Sequence, residues 1–418
     1  MNILIINPYA LDPDQAGGTR HFSLARALQA RGHRVMLAAA SFDHGARVDV
    51  LPPGPPAARR DRHGVAFLRL RTPPYRGNGA GRLWNMVAFG RAVERVLPAH
   101  LDFRPDVVVG SSPHPFGARG GLRLARRMGV PFVLELRDVW PQSLTDVMGV
   151  PPWHPVIWLL GRLERELYRG ADHIITLLAQ VGPRVAARGG DPEALTWVPN
   201  GIDLGLVPTP GPPADAGPFT ILYAGSHGVT NALDVLVDAA AELRGEAGPD
   251  GRPYRFVLLG TGPEKPALEA RAARLGLDAL VFRPPVPKRA VYGCLAEADA
   301  FWVSARDSGL WDYGISFNKL YDFMAMARPT LAGVRSPGNP ILLSGGGLMV
   351  APGSARAMAD GVRALAAAGP GARREMGERA RAYVAAHFDM AHLAARFETA
   401  LEAALAQARR VRGGAHAR

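Results

Sequence analysis

One stretch, Tyr313 to Pro329 (YGISFNKLYDFMAMARP), gathers residue types that can hold an anion beside a hydroxyl. Ser316 is an expected helix N-cap. Leu320, Phe323 and Met324 then recur at the spacing of one apolar helical face until Pro329 stops the helix. The first turn of such a helix offers free backbone N–H groups and the positive end of the helix dipole, so the amides near Ser316 and Asn318 suit a phosphate. Lys319 adds a mobile cation, and Asp322 can accept hydrogen bonds from a hydroxyl-rich group. The bland alternative is a buried helix in which Ser316 only caps. Lysine is scarce here, with Lys265, Lys288 and Lys319 the only three. GC-rich coding would favour arginine without any functional cause.

Further polar groups lie where strands give way to loops. The apolar run NILIIN at 2–7 reads as a buried parallel strand, followed by a loop ending in Gly17 and Gly18 and a helix that Thr19 could cap. That β-loop-α-β start predicts a doubly wound domain, without the dinucleotide fingerprint G-x-G-x-x-G. VVVGSS ends in SSPHPFG, which places His114 at a strand tip. FVLEL ends in RDVWP, which hangs Arg137, Asp138 and Trp140 from another tip, with Glu135 just inside it. A linker-like segment, GLVPTPGPPADAGP at 205–218, precedes a second run of the same kind. There ILYAG leads to Gly225, His227 and Gly228, with Asn231 opening a helix to Leu243. RFVLLG then leads to Gly260-Thr261-Gly262, and LVFRPPVPK carries Arg283, Val286 and Lys288. Lys288 is expected to cap or pair locally. Ligands of open α/β sheets bind outside such strand tips.

The elements that must position these groups fit within 418 residues, enough for two domains. Hydrophobic content of 48% and charged content of 21% are those of an ordinary globular chain. The single Cys294 excludes an intrachain disulfide framework and a cysteine-built metal site, and fits a reducing cytoplasm. The start MNILIINPYA lacks a basic segment, which argues against a signal peptide. No apolar run approaches the roughly 18 residues of a membrane span. The formal charge is +12, with 25 arginines against 17 carboxylates up to Gly205. An anionic membrane surface or phosphorylated substrates would suit that excess; no nucleic-acid module accompanies it, so nucleic acid is not an expected partner. Two helical stretches mix aromatics with arginines: Trp84 and Phe89 with Arg82 and Arg91, and Trp153 and Trp158 with Arg162, Arg165 and Arg169. Both suit a membrane interface, or simple packing on a sheet. A peripheral location on the inner face of the plasma membrane is the corresponding expectation. The tail RRVRGGAHAR is expected to be disordered.

PNGID at 199–203 and NKLYDFMAMARP at 318–329 resemble the landmarks of family 4 glycosyltransferases, and the resemblance covers nearly the whole chain. The YGxSxNKLxD variant, with the ELRDxWP run, is similar to the subgroup that builds O-antigen, capsule or exopolysaccharide repeats, including fucosamine transferase-type enzymes. The resemblance implies a GT-B fold: two Rossmann-like doubly wound α/β domains facing a cleft. The first would span 1–205 and the second 206–390, with a helix within 391–418 crossing back to the first. It implies a retaining, metal-independent transfer from a nucleotide-sugar, UDP-sugar foremost, to a lipid-diphosphate-linked or saccharide acceptor, with no cofactor. Gly17, Gly18, Gly225, His227, Gly228, Asn231, Gly262, Ser316, Asn318 and Lys319 would hold the donor, Asp322 its ribose, and Arg283 and Val286 its base. His114, Lys319 and Asp138 would serve the chemistry; Glu135 or Asp138 would touch an acceptor hydroxyl near Arg137 and Trp140, an Arg137–Asp138 structural pair being the alternative. Two departures stand out. Gly314 occupies the family's first acidic position, and the Gly225–Gly228 loop lacks the Arg and Lys that grip the diphosphate. A non-hydrolysing UDP-sugar 2-epimerase and a non-catalytic nucleotide-sugar-binding subunit are the alternative functions.

Overall fold

The computed structural model describes residues 1–77, 79–211 and 217–416, the last six of these by backbone only. Two parallel sheets organise it. The first contains β1 (Asn2–Ile6), β2 (Arg34–Ala40), β3 (Ala57–Arg62), β4 (Val65–Leu70), β5 (Val107–Ser111), β6 (Phe132–Leu136), β7 (His173–Thr176) and β8 (Leu195–Trp197). Their order is β8-β7-β6-β5-β1-β2-β4-β3, parallel except where β3 turns back along β4. The second contains β9 (Phe219–Ala224), β10 (Tyr254–Leu259), β11 (Leu280–Arg283), β12 (Ala300–Ser304), β13 (Thr330–Gly333) and β14 (Gly347–Met349), in the order β11-β10-β9-β12-β13-β14. Each sheet carries an apolar layer on both faces, which is why the central strands read as unbroken apolar runs. These are two Rossmann-like domains.

Seven helices matter to the site: α1 (Arg20–Ala30), α2 (Ala80–Arg95), α3 (Pro115–Met128), α4 (Pro155–Gly170), α5 (Lys288–Leu295), α6 (Asn318–Ala325) and α7 (Met390–His416). Thr19 stands at the N-cap of α1 but makes no side-chain cap bond. The helix expected from Asn231 starts at Leu233, after a 3-10 turn at Val229–Asn231. The tail is not irregular as expected: α7 continues to His416, and the last two residues of that expectation lie outside the described ones. Of the linker-like segment, residues 212–216 also lie outside them.

Met390, Leu393, Ala394, Phe397, Leu401 and Ala404 form a helical stripe on α7 that packs into the first sheet's layer with Ile3, Phe22 and Val133. The second sheet is followed by a helix at Gly369–Phe388 before α7 returns. The Ile202 and Met390 strands of chain cross side by side, with Ile202 N–H donating to Phe388 O (2.9 Å) and Met390 N–H to Ile202 O (2.8 Å). The two domains are thus tied where the chain passes between them twice.

Candidate active site

Strand order reverses at β1/β5 in the first sheet and at β9/β12 in the second, the places where an open α/β sheet leaves a crevice. The tips at the first crevice carry the Asn7–Gly18 loop and His114; those at the second carry the Gly225–Gly228 loop and the segment leading into α6. The two meet. A Cβ on Gly18 would stand 2.5 Å from Asn318 Nδ2, so this loop lies directly against the first residue of α6. Lys288 N–H donates to Gln15 O (3.1 Å) and Gln180 N–H to Tyr313 O (2.9 Å). A narrow crevice lies on this seam, between Gly18, Thr19, Lys288, Asn318 and Asp322.

Ser316 does not cap α6. Phe317 holds the N-cap position with no side-chain cap bond, and the Ser316 hydroxyl instead accepts from Asn200 N–H (2.7 Å) while the Asn200 amide donates to Ser316 O. The serine is drawn into the seam between domains, and the start of α6 is left uncapped. Lys319 follows. Its ammonium donates to Asn231 Oδ1 (2.5 Å) and lies over the Tyr223 and Phe317 rings at 4.8 and 5.2 Å. No carboxylate pairs with it among the described residues, and burial lowers its pKa to about 7.

Asp322, expected to face a ribose, is held by Lys288 Nζ at 2.5 Å and by the Tyr292 hydroxyl (3.1 Å). Lys288 therefore pairs across 34 residues rather than locally, because the N-terminus of α5 brings it over α6. Asp322 can receive a ligand hydroxyl only by sharing or displacing that ammonium.

His227 is fully buried and neither ring nitrogen has a hydrogen-bond partner. Burial, with Lys265 and Lys319 nearby, lowers its pKa to about 4. Its backbone is fixed: N–H to Thr261 O (2.8 Å), with Gly262 packed against the same residue. Gly225 lies beside the Tyr223 hydroxyl, and Gly228 precedes the 3-10 turn that presents Asn231. His114 is the counterpart in the first domain. It is buried, both ring nitrogens lack partners, and burial lowers its pKa to about 3. Two neutral imidazoles, one per domain, thus sit at the crevice tips with hydrogen-bonding capacity unused, an uncommon condition for buried polar groups.

The remaining expectations fare differently. Glu135 cannot meet an acceptor: it is 0% exposed and takes Arg20 Nε (2.9 Å), His21 Nε2 (2.6 Å) and the Ser111 hydroxyl. Burial alone would raise its pKa, but the His21 and Arg20 charges hold it well below the usual carboxylate range. Arg20 also donates to Val198 O (2.8 Å) and Pro199 O, so this carboxylate braces the turn that carries Asn200. Arg137 and Asp138 do not pair directly. Arg137 N–H donates to Ser112 Oγ (2.8 Å), while Asp138 accepts from Val139 N–H (2.7 Å) and burial raises its pKa. Trp140 is partly buried beside them. Arg283 is turned away to Glu297 (2.9 and 2.8 Å), and Val286 packs on the apolar layer beneath α6. Gly314 has φ 111°, and a Cβ there would lie 3.1 Å from Ala179 N. A side chain at that position would carry the strain of a positive φ and press on the Ala179 backbone. Sequence reasoning missed Arg20, Asn200, Tyr223 and Tyr292; the scarcity of lysine was the available signal for Lys288.

Residues 16–201 match the family model of a glycosyl transferase 4-like domain, and residues 218–368 that of glycosyl transferases group 1. The chain is 26% identical over 272 residues to the putative colanic acid biosynthesis glycosyl transferase WcaI of Escherichia coli (strain K12), covering 59% of this chain and 65% of that relative. The chain thus spans just under two thirds of that protein's length. Among solved structures, sucrose-phosphate synthase from Thermosynechococcus elongatus superposes with a TM-score of 0.75 at 18% identity, covering 95% of this chain and 97% of the other. Anabaena Alr3699/HepE, in complex with UDP and glucose, superposes with a TM-score of 0.68 at 17% identity, covering 96% and 99%.

Proposed function

We propose that this chain, a GT-B protein built from a glycosyl transferase 4-like domain and a group 1 glycosyltransferase domain, is a retaining glycosyltransferase. It moves a sugar from a UDP-sugar to a lipid-linked or saccharide acceptor in cell-surface polysaccharide synthesis, in the manner of the O-antigen and fucosamine transferase-type subgroup. One observation carries this reading. Lys319 is an enclosed cation without a counter-charge at the uncapped start of α6, and a diphosphate is the group that would satisfy both.

In this reading Lys319 and the α6 amides stabilise the leaving diphosphate as negative charge develops on it, so no divalent metal is needed. Neutral His227 and His114 donate hydrogen bonds to phosphate and sugar oxygens from opposite sides. The leaving diphosphate takes the acceptor proton, and the closed seam keeps water from competing. Membrane attachment belongs to the same proposal. Trp153 is 83% exposed and Trp158 64%, at the start of α4 beside the exposed Arg162, an arrangement suited to an anionic lipid surface. No helix among the described residues is long and apolar enough to cross a membrane.

The test is calorimetric titration of UDP, GDP and ADP into wild type and Lys319→Ala, with and without EDTA. Saturable UDP binding that EDTA leaves unchanged and the substitution weakens at least about tenfold, the worth of one charge-assisted hydrogen bond, is expected. Equal affinity of both proteins for UDP would refute the assignment. The anomeric configuration of the product, read by NMR, tests retention.

A further inference from the structure

Lys319 is held by a turn of the second domain, and that turn is held by a strand end that none of the donor assignments uses. The Lys319 ammonium donates to Asn231 Oδ1 and lies over the rings of Tyr223 and of Phe317, the N-cap residue of α6. The Asn231 amide nitrogen donates to Ser226 O (2.9 Å), which also accepts from the Tyr223 hydroxyl (2.7 Å). The amide is thereby fixed with its oxygen towards the lysine.

The backbone of the same turn is fixed from β12. Trp302 and Ser304 are two residues apart on that strand and share a face. The Ser304 hydroxyl donates to Asn231 O (2.7 Å) and accepts from Trp302 Nε1–H (2.9 Å). Just beyond, Arg306 N–H donates to Thr230 O (3.0 Å). Ser304 is 2% exposed and Trp302 0%, so neither can turn elsewhere without stranding a buried polar group.

The turn needs such bracing. Ala232, the residue after Asn231, has φ 47°, a conformation that persists only where its neighbours over-determine it. Asp234, in the helix that follows at Leu233–Glu242, is paired with Arg306 (3.0 Å) and does not answer the lysine. At the other end of the loop His227 is neutral, its pKa lowered to about 4 by burial, and burial raises the pKa of the Tyr223 hydroxyl. Among the described residues the ammonium therefore donates to uncharged acceptors alone, Asn231 and the Tyr223 hydroxyl, and keeps its charge for a ligand.

We propose that Ser304, braced by Trp302, is a positioning residue: it pins the Asn231 turn so that the asparagine oxygen holds the Lys319 ammonium over the start of α6, where the donor diphosphate is received. A lysine side chain has many rotamers, and ordering it beforehand spares the ligand that loss of entropy. The serine touches no substrate and acts through Asn231 and Lys319. This role rests on the reading of Lys319 as the cation of the diphosphate site.

The test is a double-mutant cycle read by calorimetric titration of UDP. The proteins are wild type, Ser304→Ala, Lys319→Ala and the double variant, with Asn231→Asp beside them. Ser304→Ala should weaken UDP about tenfold when Lys319 is present and by less than about twofold once it is alanine. Equal losses in both backgrounds, the result for a serine that only builds the fold, would overturn the proposal. So would no loss in either. Asn231→Asp lies outside the sheet and supplies a second readout should Ser304→Ala fail to fold. Burial lowers the Lys319 pKa to about 7; a carboxylate at position 231 raises it again, so UDP affinity should stay flat from about pH 7 to about 8.5, where that of wild type falls. A fall as steep as in wild type would show that Asn231 does not hold the lysine, and would also overturn the proposal. UDP binding by Lys319→Ala as tight as by wild type would instead strike the donor reading beneath it.

Discussion

Lys319 should make UDP affinity fall with rising pH, and the size of the fall can be worked out. In the free protein its pKa is lowered to about 7 by burial. A bound diphosphate supplies the missing counter-charge and returns it towards the ordinary lysine value of about 10.4. Below pH 7 the ammonium is charged in both states and contributes no slope. Above pH 7 the free protein loses the proton and UDP binding must recruit it again. Linkage then weakens affinity about 16-fold between pH 7.0 and 8.5. Other nearby groups do not titrate there: His227 has a pKa of about 4, and burial raises that of the Tyr223 hydroxyl. The second ionisation of the UDP phosphate, near pH 6, weakens binding only on the acid side. The assay is calorimetry from pH 6.5 to 8.5 in two buffers of different ionisation enthalpy. Uptake of about 0.9 proton at pH 8 is expected. Lys319→Arg, charged throughout, should bind with a flat profile. A flat wild-type profile, or an equal slope in the arginine variant, would refute the reasoning.

Four shorter expectations follow. The depressed Lys319 pKa means the unfolded chain binds more protons between about pH 7 and 10.4, so this group destabilises the ligand-free fold fully below pH 7 and less as pH rises. Lys319→Met should therefore stabilise the ligand-free fold at pH 7 by a few kcal/mol at most, read as a higher melting temperature, while losing UDP; a lower melting temperature would contradict this. Glu135→Ala strands Arg20 and His21 in a dry interior and should cost about 3–5 kcal/mol in urea unfolding. Gly314→Glu, which restores the family's acidic residue, should lower transfer rather than raise it, because the positive φ and Ala179 cost about 1–3 kcal/mol in the closed form; higher turnover would sink that explanation. Phe397→Ala opens the layer that α7 shares with the first sheet and should cost about 3–5 kcal/mol by chemical unfolding.

The fold was legible because its signals are local. Unbroken apolar runs such as NILIIN and the Gly-rich tips after them mark parallel strands whatever their partners. The position of Lys319 in the first turn of a helix was legible for a similar reason. Ser316 was not, because two reasonable uses compete for one hydroxyl, and Asn200, 116 residues away, decides between them. Glu135 looked available because it sits one residue inside a strand tip. Only the fold shows that Arg20 and His21 arrive from α1 to surround it. The same holds for Asp322, whose partner Lys288 comes from α5. Charges whose partners are remote in sequence cannot be told from free ones by spacing.

What separates the seam from the site is where polar groups have been satisfied. Along the seam, Glu135, Arg20, Asn200, Ser316, Lys288 and Asp322 all find partners within the protein, so closure costs no stranded charge. At the crevice tips the opposite holds: His114 and His227 have none, and Lys319 has an amide but no counter-ion. Groups of that kind each cost the ligand-free protein of the order of 1–3 kcal/mol. A diphosphate with a sugar attached offers one anion and several hydroxyls. In the proposed reading, a nucleotide diphosphate-sugar lying between the domains would meet all three.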